Sequence, residues 1–240
     1  MMRFISLKPL NYLILAVLAC IHGSSQAVDI FLYDATLNQF PESQPWLFYA
    51  ADSSSGGSVS KNLTVQGTEL STNETARAGW SNTIPILNTW KNPAFPMLNP
   101  AEGFALEWSM QILSENHNST DRAGTSLILL GSNGRGIELG FWTHEIWAQN
   151  ANPLFTHGES AGFDLTAGAH DFRLEIIGDQ YLLSSGQNLL LSGITRDYSA
   201  FGSAPYSLQN YFFLGDNTSS AGATSQFGSI RLLTNVPETG

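Results

Sequence analysis

The sequence predicts an antiparallel all-β sandwich, and three observations predict it. After residue 27 no long segment carries apolar residues at i, i+3, i+4 and i+7, so helix is a minor component. Period-two alternation recurs instead. It is clearest over Phe104-Ala105-Leu106-Glu107-Trp108-Ser109-Met110-Gln111-Ile112, where every even residue is large and apolar and every odd one is small or polar. Such a strand sets one face on a core and the other towards solvent. The third observation is the punctuation: Ser132-Asn133-Gly134, Gly178-Asp179 and Ser185-Gly186-Gln187 are short and rich in residues that tolerate positive φ. Strands joined by hairpins, with no crossover helices, imply two antiparallel sheets packed face to face.

From the N-terminus, Arg3 and Lys8 precede an apolar run from Tyr12 to Cys20, and Ser25-Gln26-Ala27 follows with small residues three and one places before a cut. Residues 1–27 therefore read as a secretory signal, with an apolar run well short of the ~20 residues that a membrane-spanning helix needs. Strands are then expected at Ile30–Tyr33, Trp46–Ala50, Asn62–Gln66, Phe104–Ile112, Ser126–Leu130, Gly136–Trp142, Glu145–Gln149, Asp171–Ile177, Tyr181–Ser184, Asn188–Leu191, Tyr211–Leu214 and Phe227–Leu233. The Ser53–Ser58 run and the proline-rich Asn92–Pro100 stretch read as surface loops, which leaves a single domain over 28–234.

Composition supports this and removes several functions. Of 240 residues, 42% are hydrophobic and 12% charged, enough apolar material to bury a core and too little charge for a disordered polyampholyte. The formal charge is −10, and Arg3 and Lys8 lie in the signal, so the rest is more acidic still. Nucleic acid is excluded as a partner because neutralising phosphates needs clustered Lys and Arg, and an anionic membrane surface is disfavoured for the same reason. The single cysteine, Cys20, lies in the signal, so a chain cut after Ala27 has no disulfide, thiolate metal site or cysteine nucleophile.

Three constellations bear on chemistry. Gly158-Glu159-Ser160-Ala161-Gly162 matches G-x-S-x-G, but the nucleophile elbow needs a parallel sheet and a helix after the serine, so a flexible loop is expected. Glycoside hydrolysis needs two facing carboxylates. The nearest arrangement is Asp171-Arg173-Glu175, whose central arginine would hold both acids ionised and spoil a general acid, so no catalytic residue is assigned and a non-enzyme is expected. The third constellation is a hairpin, Ile137–Trp142 and Glu145–Gln149, closed by Thr143-His144. A two-residue turn puts Ile137, Leu139, Phe141, Ile146 and Ala148 on one face and Glu138, Gly140, Trp142, Glu145, Trp147 and Gln149 on the other. Indoles beside carboxylates and an amide suit a sugar, whose C–H face stacks on a ring while its hydroxyls take directional hydrogen bonds. Glu138, Trp142, Glu145, Trp147 and Gln149 are thus the candidate ligand-binding residues, on the expectation that this face is exposed.

No cofactor is expected. His117, His144, His157 and His170 lack a ligand spacing, and calcium is the one metal left open, through oxygen ligands from Asp216-Asn217 and Asp34. Asn62, Asn73, Asn118 and Asn217 begin Asn-x-Ser/Thr triplets, which matter only in a eukaryotic secretory host.

The run His170-Asp171-Phe172-Arg173-Leu174-Glu175-Ile176, then Gly178-Asp179-Gln180-Tyr181, then Gly186-Gln187-Asn188-Leu189-Leu190-Leu191-Ser192-Gly193 resembles the hairpins of concanavalin A-like lectin and laminin G-like jelly rolls. Gly136–Trp142, Glu145–Gln149 and Arg196–Gly202 are similar to the choice-of-anchor domains of bacterial, notably cyanobacterial, exported proteins, over roughly residues 29–237. That resemblance implies a jelly-roll sandwich of the lectin/glucanase type and no particular activity. Val236-Pro237-Glu238 resembles the start of a PEP-CTERM sorting segment, Pro237-Glu238-Thr239-Gly240 resembles a sortase signal, and 235–240 reads as a truncated tail of that kind. Val17-Leu18-Ala19-Cys20 resembles a lipobox, which implies acylation of Cys20 as the alternative to cleavage after Ala27. The expectation is a secreted or cell-surface, non-catalytic domain that binds extracellular polysaccharide and meets a membrane only through a lipid or sorting anchor. A glycoside hydrolase-like enzyme and a purely structural surface protein are the alternatives.

Overall fold

The computed structural model describes residues 28–52, 56–84, 89–90 and 92–236. The signal, Cys20 and the last four residues of the sorting-like tail lie outside the described residues.

In chain order the strands are β1 (Val28–Tyr33), β2 (Leu47–Asp52), β3 (Val59–Thr64), β4 (Gly67–Thr72), β5 (Ala76–Ser81), β6 (Thr83–Ile84), β7 (Thr89–Trp90), β8 (Phe104–His117), β9 (Ser126–Leu130), β10 (Gly136–Phe141), β11 (Glu145–Ala151), β12 (Leu154–Gly162), β13 (His170–Ile177), β14 (Gln180–Ser185), β15 (Asn188–Ile194), β16 (Tyr211–Asp216) and β17 (Ala221–Thr234). Among the described residues the only helices are three single 3-10 turns. One sheet runs β15-β14-β13-β8-β17-β4-β3, with β1 also on β17, and the other runs β12-β11-β10-β9-β16-β5-β2. All pairings in both are antiparallel. The result is a two-sheet sandwich.

The alternation of β8 explains its place at the centre. Phe104, Leu106, Trp108, Met110 and Ile112 are all at most 2% exposed and point between the sheets, while Glu107, Ser109 and Gln111 face outward and stay half-buried. Trp108 stacks on Phe172 of β13 at 5.3 Å, and Leu127, Leu129, Leu139, Phe141 and Leu214 close the same core from the other sheet. Each such burial contributes ~1.5–3 kcal/mol.

The structure departs from the expected elements where alternation is weak. β8 runs on to His117, because β17 continues to pair with it through Ala221↔His117. β3 ends at Thr64 and the chain turns over Val65-Gln66 into β4. Gly67, at φ +135°, makes that turn against β17, where a Cβ would lie 2.1 Å from the Phe227 carbonyl oxygen, so only glycine fits. β5 reads Ala-Arg-Ala-Gly-Trp-Ser, too small-residue-rich to show a period, yet it is paired on both sides, by β16 and β2. The Gly158–Gly162 motif is likewise not a loop but the end of β12, with Ser160 opposite Trp147.

A second apolar cluster lies on the outer face of the seven-stranded sheet. Ile128, Leu130, Tyr211 and Phe213 point away from the main core and are covered by Tyr198, Tyr206 and Leu208. β9 is consequently buried over its whole length, a central strand with apolar residues on both faces.

Candidate functional site

The β10–β11 hairpin has the register expected of a two-residue turn. Leu139 faces Ala148, Gly140 faces Trp147 and Phe141 faces Ile146, and the Trp142 N–H donates to the Glu145 carbonyl at 2.9 Å. Ile137, Leu139, Phe141, Ile146 and Ala148 accordingly join the inter-sheet core. The opposite face does carry Glu138, Trp142, Glu145, Trp147 and Gln149, but it is not the open platform that the sequence suggested. Trp147 is 0% exposed, Glu138 2% and Gln149 3%.

Two segments cover it, and they split its residues into two groups. The segment after β8 lies over the indoles: Trp142 Nε1 donates to Arg122 O at 2.8 Å, Gln149 Nε2 to Asp121 O at 3.0 Å, and the His157 N–H to Asp121 Oδ1 at 2.7 Å. Beneath it the rings form a continuous pile, with His117 stacked on Trp142 at 4.1 Å, Trp142 against Trp147 at 4.4 Å, and Trp147 stacked on His157 at 4.5 Å. Glu145 closes this group through His157 Nε2 at 3.1 Å. Gly140 is required there, since a Cβ would lie 2.5 Å from the Trp147 ring.

The second group, Glu138 and Gln149, enters a cavity of about 200 Å3 shared with Arg77, Arg122, Phe155, Phe201, Tyr206 and Asn217. A larger cavity of about 460 Å3 adjoins it, shares Arg77 and Asn217, and is lined also by Phe48, Tyr49, Pro205, Tyr211 and Phe213. Together they make a groove on the outer face of the seven-stranded sheet. Its rings include two large exposed aromatics, Tyr49 and Phe201, each 47% exposed.

The polar side of the groove is held by hydrogen bonds. Glu138 accepts from the Tyr206 hydroxyl at 2.6 Å and from Asn217 Nδ2 at 2.7 Å. Burial pushes its pKa up, while those two donors and the nearby Arg122 charge oppose the rise. The Tyr198 hydroxyl donates to Gln149 O at 2.7 Å and accepts from the Glu138 N–H at 3.1 Å, bracing both strands. Gln149 Oε1 is buried and has no hydrogen-bond partner among the described residues, an unsatisfied acceptor beside the groove. Asp216 comes from β16 but turns inward, accepting from Thr72 Oγ1 at 2.6 Å and the Thr218 N–H at 2.9 Å, and burial pushes its pKa up to about 8.

Of the residues lining the smaller cavity, the sequence singles out Glu138 and Gln149 but not Arg77, Arg122, Tyr206, Phe155 or Phe201. Arg77 alternates with the core residues Ala78 and Trp80 only through a run of small residues, and the others lie in or beside irregular segments with no period to read. The remaining candidates stay apart from the groove. Arg173 binds Glu107 and Glu175, at 2.6 Å for Glu175, on the outer face of the other sheet, so of the expected Asp171 and Glu175 pair only Glu175 is held, and Glu107 from β8 is the second acid. Asp34 caps a 3-10 turn through the Thr36 N–H at 2.9 Å, away from the partners of Asp216, and among the described residues no three metal-binding side chains group together.

No family model matches the chain, and no curated protein matches it. Solved structures do. An endo-1,3-beta-glucanase from Streptomyces sioyaensis aligns at TM-score 0.51 and 13% identity, covering 89% of this chain and 98% of that one. The VIP36 exoplasmic/lumenal domain in its Ca2+-bound form gives 0.49 at 11% identity, covering 87% and 91%. The carbohydrate esterase vb_24B_21 from the Shiga toxin-encoding bacteriophage phi24B gives 0.48 at 12%, covering 81% and 92%. The chain is a jelly-roll sandwich of the concanavalin A-like lectin/glucanase fold. Its particular function rests on its own side chains.

Proposed function

We propose that this is an exported cell-surface or matrix domain that binds extracellular polysaccharide in the outer-face groove without cleaving it. The observation that carries the reading is the composition of that groove: Tyr49 and Phe201 stand exposed, with Phe155 and Tyr206 packed against Phe201, beside Glu138, Gln149, Asn217 and two arginines. Apolar faces with a few convergent polar groups match a sugar ring, whose axial C–H bonds and hydroxyls point in different directions. The site thus keeps Glu138 and Gln149 from the hairpin and gives Trp142, Glu145 and Trp147 a supporting role. A glycan array read with the parent protein, Gln149→Ala and Phe201→Ala tests it. Binding that both variants weaken is expected, and binding indifferent to both would move the site elsewhere.

The non-catalytic half is supported by the carboxyl geometry. Glu138 is the one carboxyl lining the smaller cavity, and Asp216, which lines the larger one, has both oxygens engaged, by Thr72 Oγ1 and the Thr218 N–H. Hydrolysis of a glycosidic bond needs two carboxyls opposed across the sugar, ~5–10 Å apart. One observation favours the hydrolase alternative: a buried carboxyl with a raised pKa is the state a general acid requires. A reducing-sugar assay decides between them, because sugar release that Glu138→Gln abolishes would make this an enzyme. Export is part of the same proposal and rests on residues 1–27. Intact-mass analysis of the exported protein should find Val28 first, whereas an acylated Cys20 would overturn cleavage after Ala27.

A further inference from the structure

The chain has 20 Asp and Glu against 10 Lys and Arg, so each cation should find a carboxylate. Most described ones do: Lys61 pairs with Glu42, Arg173 with Glu107 and Glu175, Arg196 with Glu159, and Arg231 with Asp29. Arg77, Arg122 and Arg135 form no ion pair among the described residues, and two of these three line the groove. Arg77 stands exposed on β5 and borders both cavities. Arg122 is held in place, donating through Nη1 to Asp121 O at 2.6 Å and Phe155 O at 2.7 Å, with its guanidinium 5.7 Å from the centre of the Phe155 ring. Two guanidiniums without an ion-pair partner among the described residues, that of Arg122 held in place, mark where an outside anion belongs.

We infer that the groove selects an anionic polysaccharide, with an acid group on the sugar contacting Arg77 and Arg122. This rests on the polysaccharide reading above and adds the charge of the ligand. A guanidinium presents paired N–H donors that match the two oxygens of a carboxylate or sulfate, which a neutral sugar lacks. The acids nearby do not cancel this field. Glu138 has both oxygens engaged by Tyr206 and Asn217 and is disfavoured as an anion by burial, and Asp216, which lines the larger cavity with Arg77, has its oxygens engaged by Thr72 and Thr218 and is likewise disfavoured as an anion by burial.

Two pairs of polymers test the inference, polygalacturonate against its methyl ester and dextran sulfate against dextran. Affinities are measured by calorimetry in low and high salt, with melting temperature recorded for every variant. An acidic polymer should be retained over its neutral counterpart, more weakly at high salt, and the pair that discriminates tells carboxylate from sulfate. Arg77→Gln, at an exposed site, and Arg122→Gln should each lower that affinity about tenfold. Arg135→Gln, which removes the third unpaired cation away from the groove, should leave it unchanged. Equal affinity for acidic and neutral forms, failure to retain either acidic polymer, or indifference to Arg77→Gln would overturn the inference. In each case a glycan array that still reports neutral glycans, lost in Gln149→Ala, leaves the polysaccharide reading standing, and a blank array removes both.

Discussion

Replacing Trp147 by alanine distinguishes the exposed platform expected from sequence from the buried pile found in the fold. The indole is 0% exposed, sits 4.5 Å from His157 and 4.4 Å from Trp142, and covers Gly140. Its Nε1 has no hydrogen-bond partner among the described residues, so truncation orphans no acceptor and the whole cost is lost packing. Emptying such a site costs ~3–5 kcal/mol. At ~2–4 °C per kcal/mol for a domain of this size, Tm should fall by about 6–20 °C. Glycan affinity of the folded protein should stay as it was, because the groove lies with Glu138 and Gln149 and not with the pile. Gly140→Ala supplies an internal control. Its methyl would lie 2.5 Å from the Trp147 ring, an overpacking worth ~1–3 kcal/mol in the parent. In the Trp147→Ala background that methyl enters vacated space, so the double variant should be more stable than the sum of the single costs by at least ~0.5 kcal/mol. Urea and thermal unfolding measure all three. A Trp147→Ala protein that melts like the parent but has lost glycan binding would refute the argument, as would strictly additive costs.

Further outcomes follow from single groups. Asp216 keeps its proton up to about pH 8 in the folded protein but loses it near pH ~4 when unfolded, so the folded state binds the extra proton and stability falls as pH rises between those values. Asp216→Asn retains partners for Thr72 and the Thr218 N–H and should flatten that decline, raising the urea midpoint at pH 8; an unchanged decline would place its cause elsewhere. Tyr198→Phe removes the hydroxyl that joins Gln149 O to the Glu138 N–H, and with both ends buried it should cost ~1–3 kcal/mol in denaturant unfolding. A cost near zero would mean that the brace carries no stability.

The two-sheet architecture was legible in the sequence because alternation is a local property. A strand such as 104–112 states which residues share a face whatever it later pairs with, and the hairpin rule put Glu138, Trp142, Glu145, Trp147 and Gln149 together correctly through the two-residue turn alone. Period two says nothing of what lies on top of a face. Whether those residues meet water was settled by Tyr198, Tyr206 and Leu208 folding back over the seven-stranded sheet, and by the segment through Asp121 and Arg122 closing on the indoles. Those covering residues sit in irregular chain with no repeat, many positions from what they cover. The pairing of charge has the same origin. Arg173 and Arg77 are both strand arginines, and only the register of neighbouring strands gave the first two carboxylates and left the second facing an open groove. Faces are written in the order of residues along one strand, whereas exposure and neutralisation depend on long-range neighbours that only the folded chain brings together.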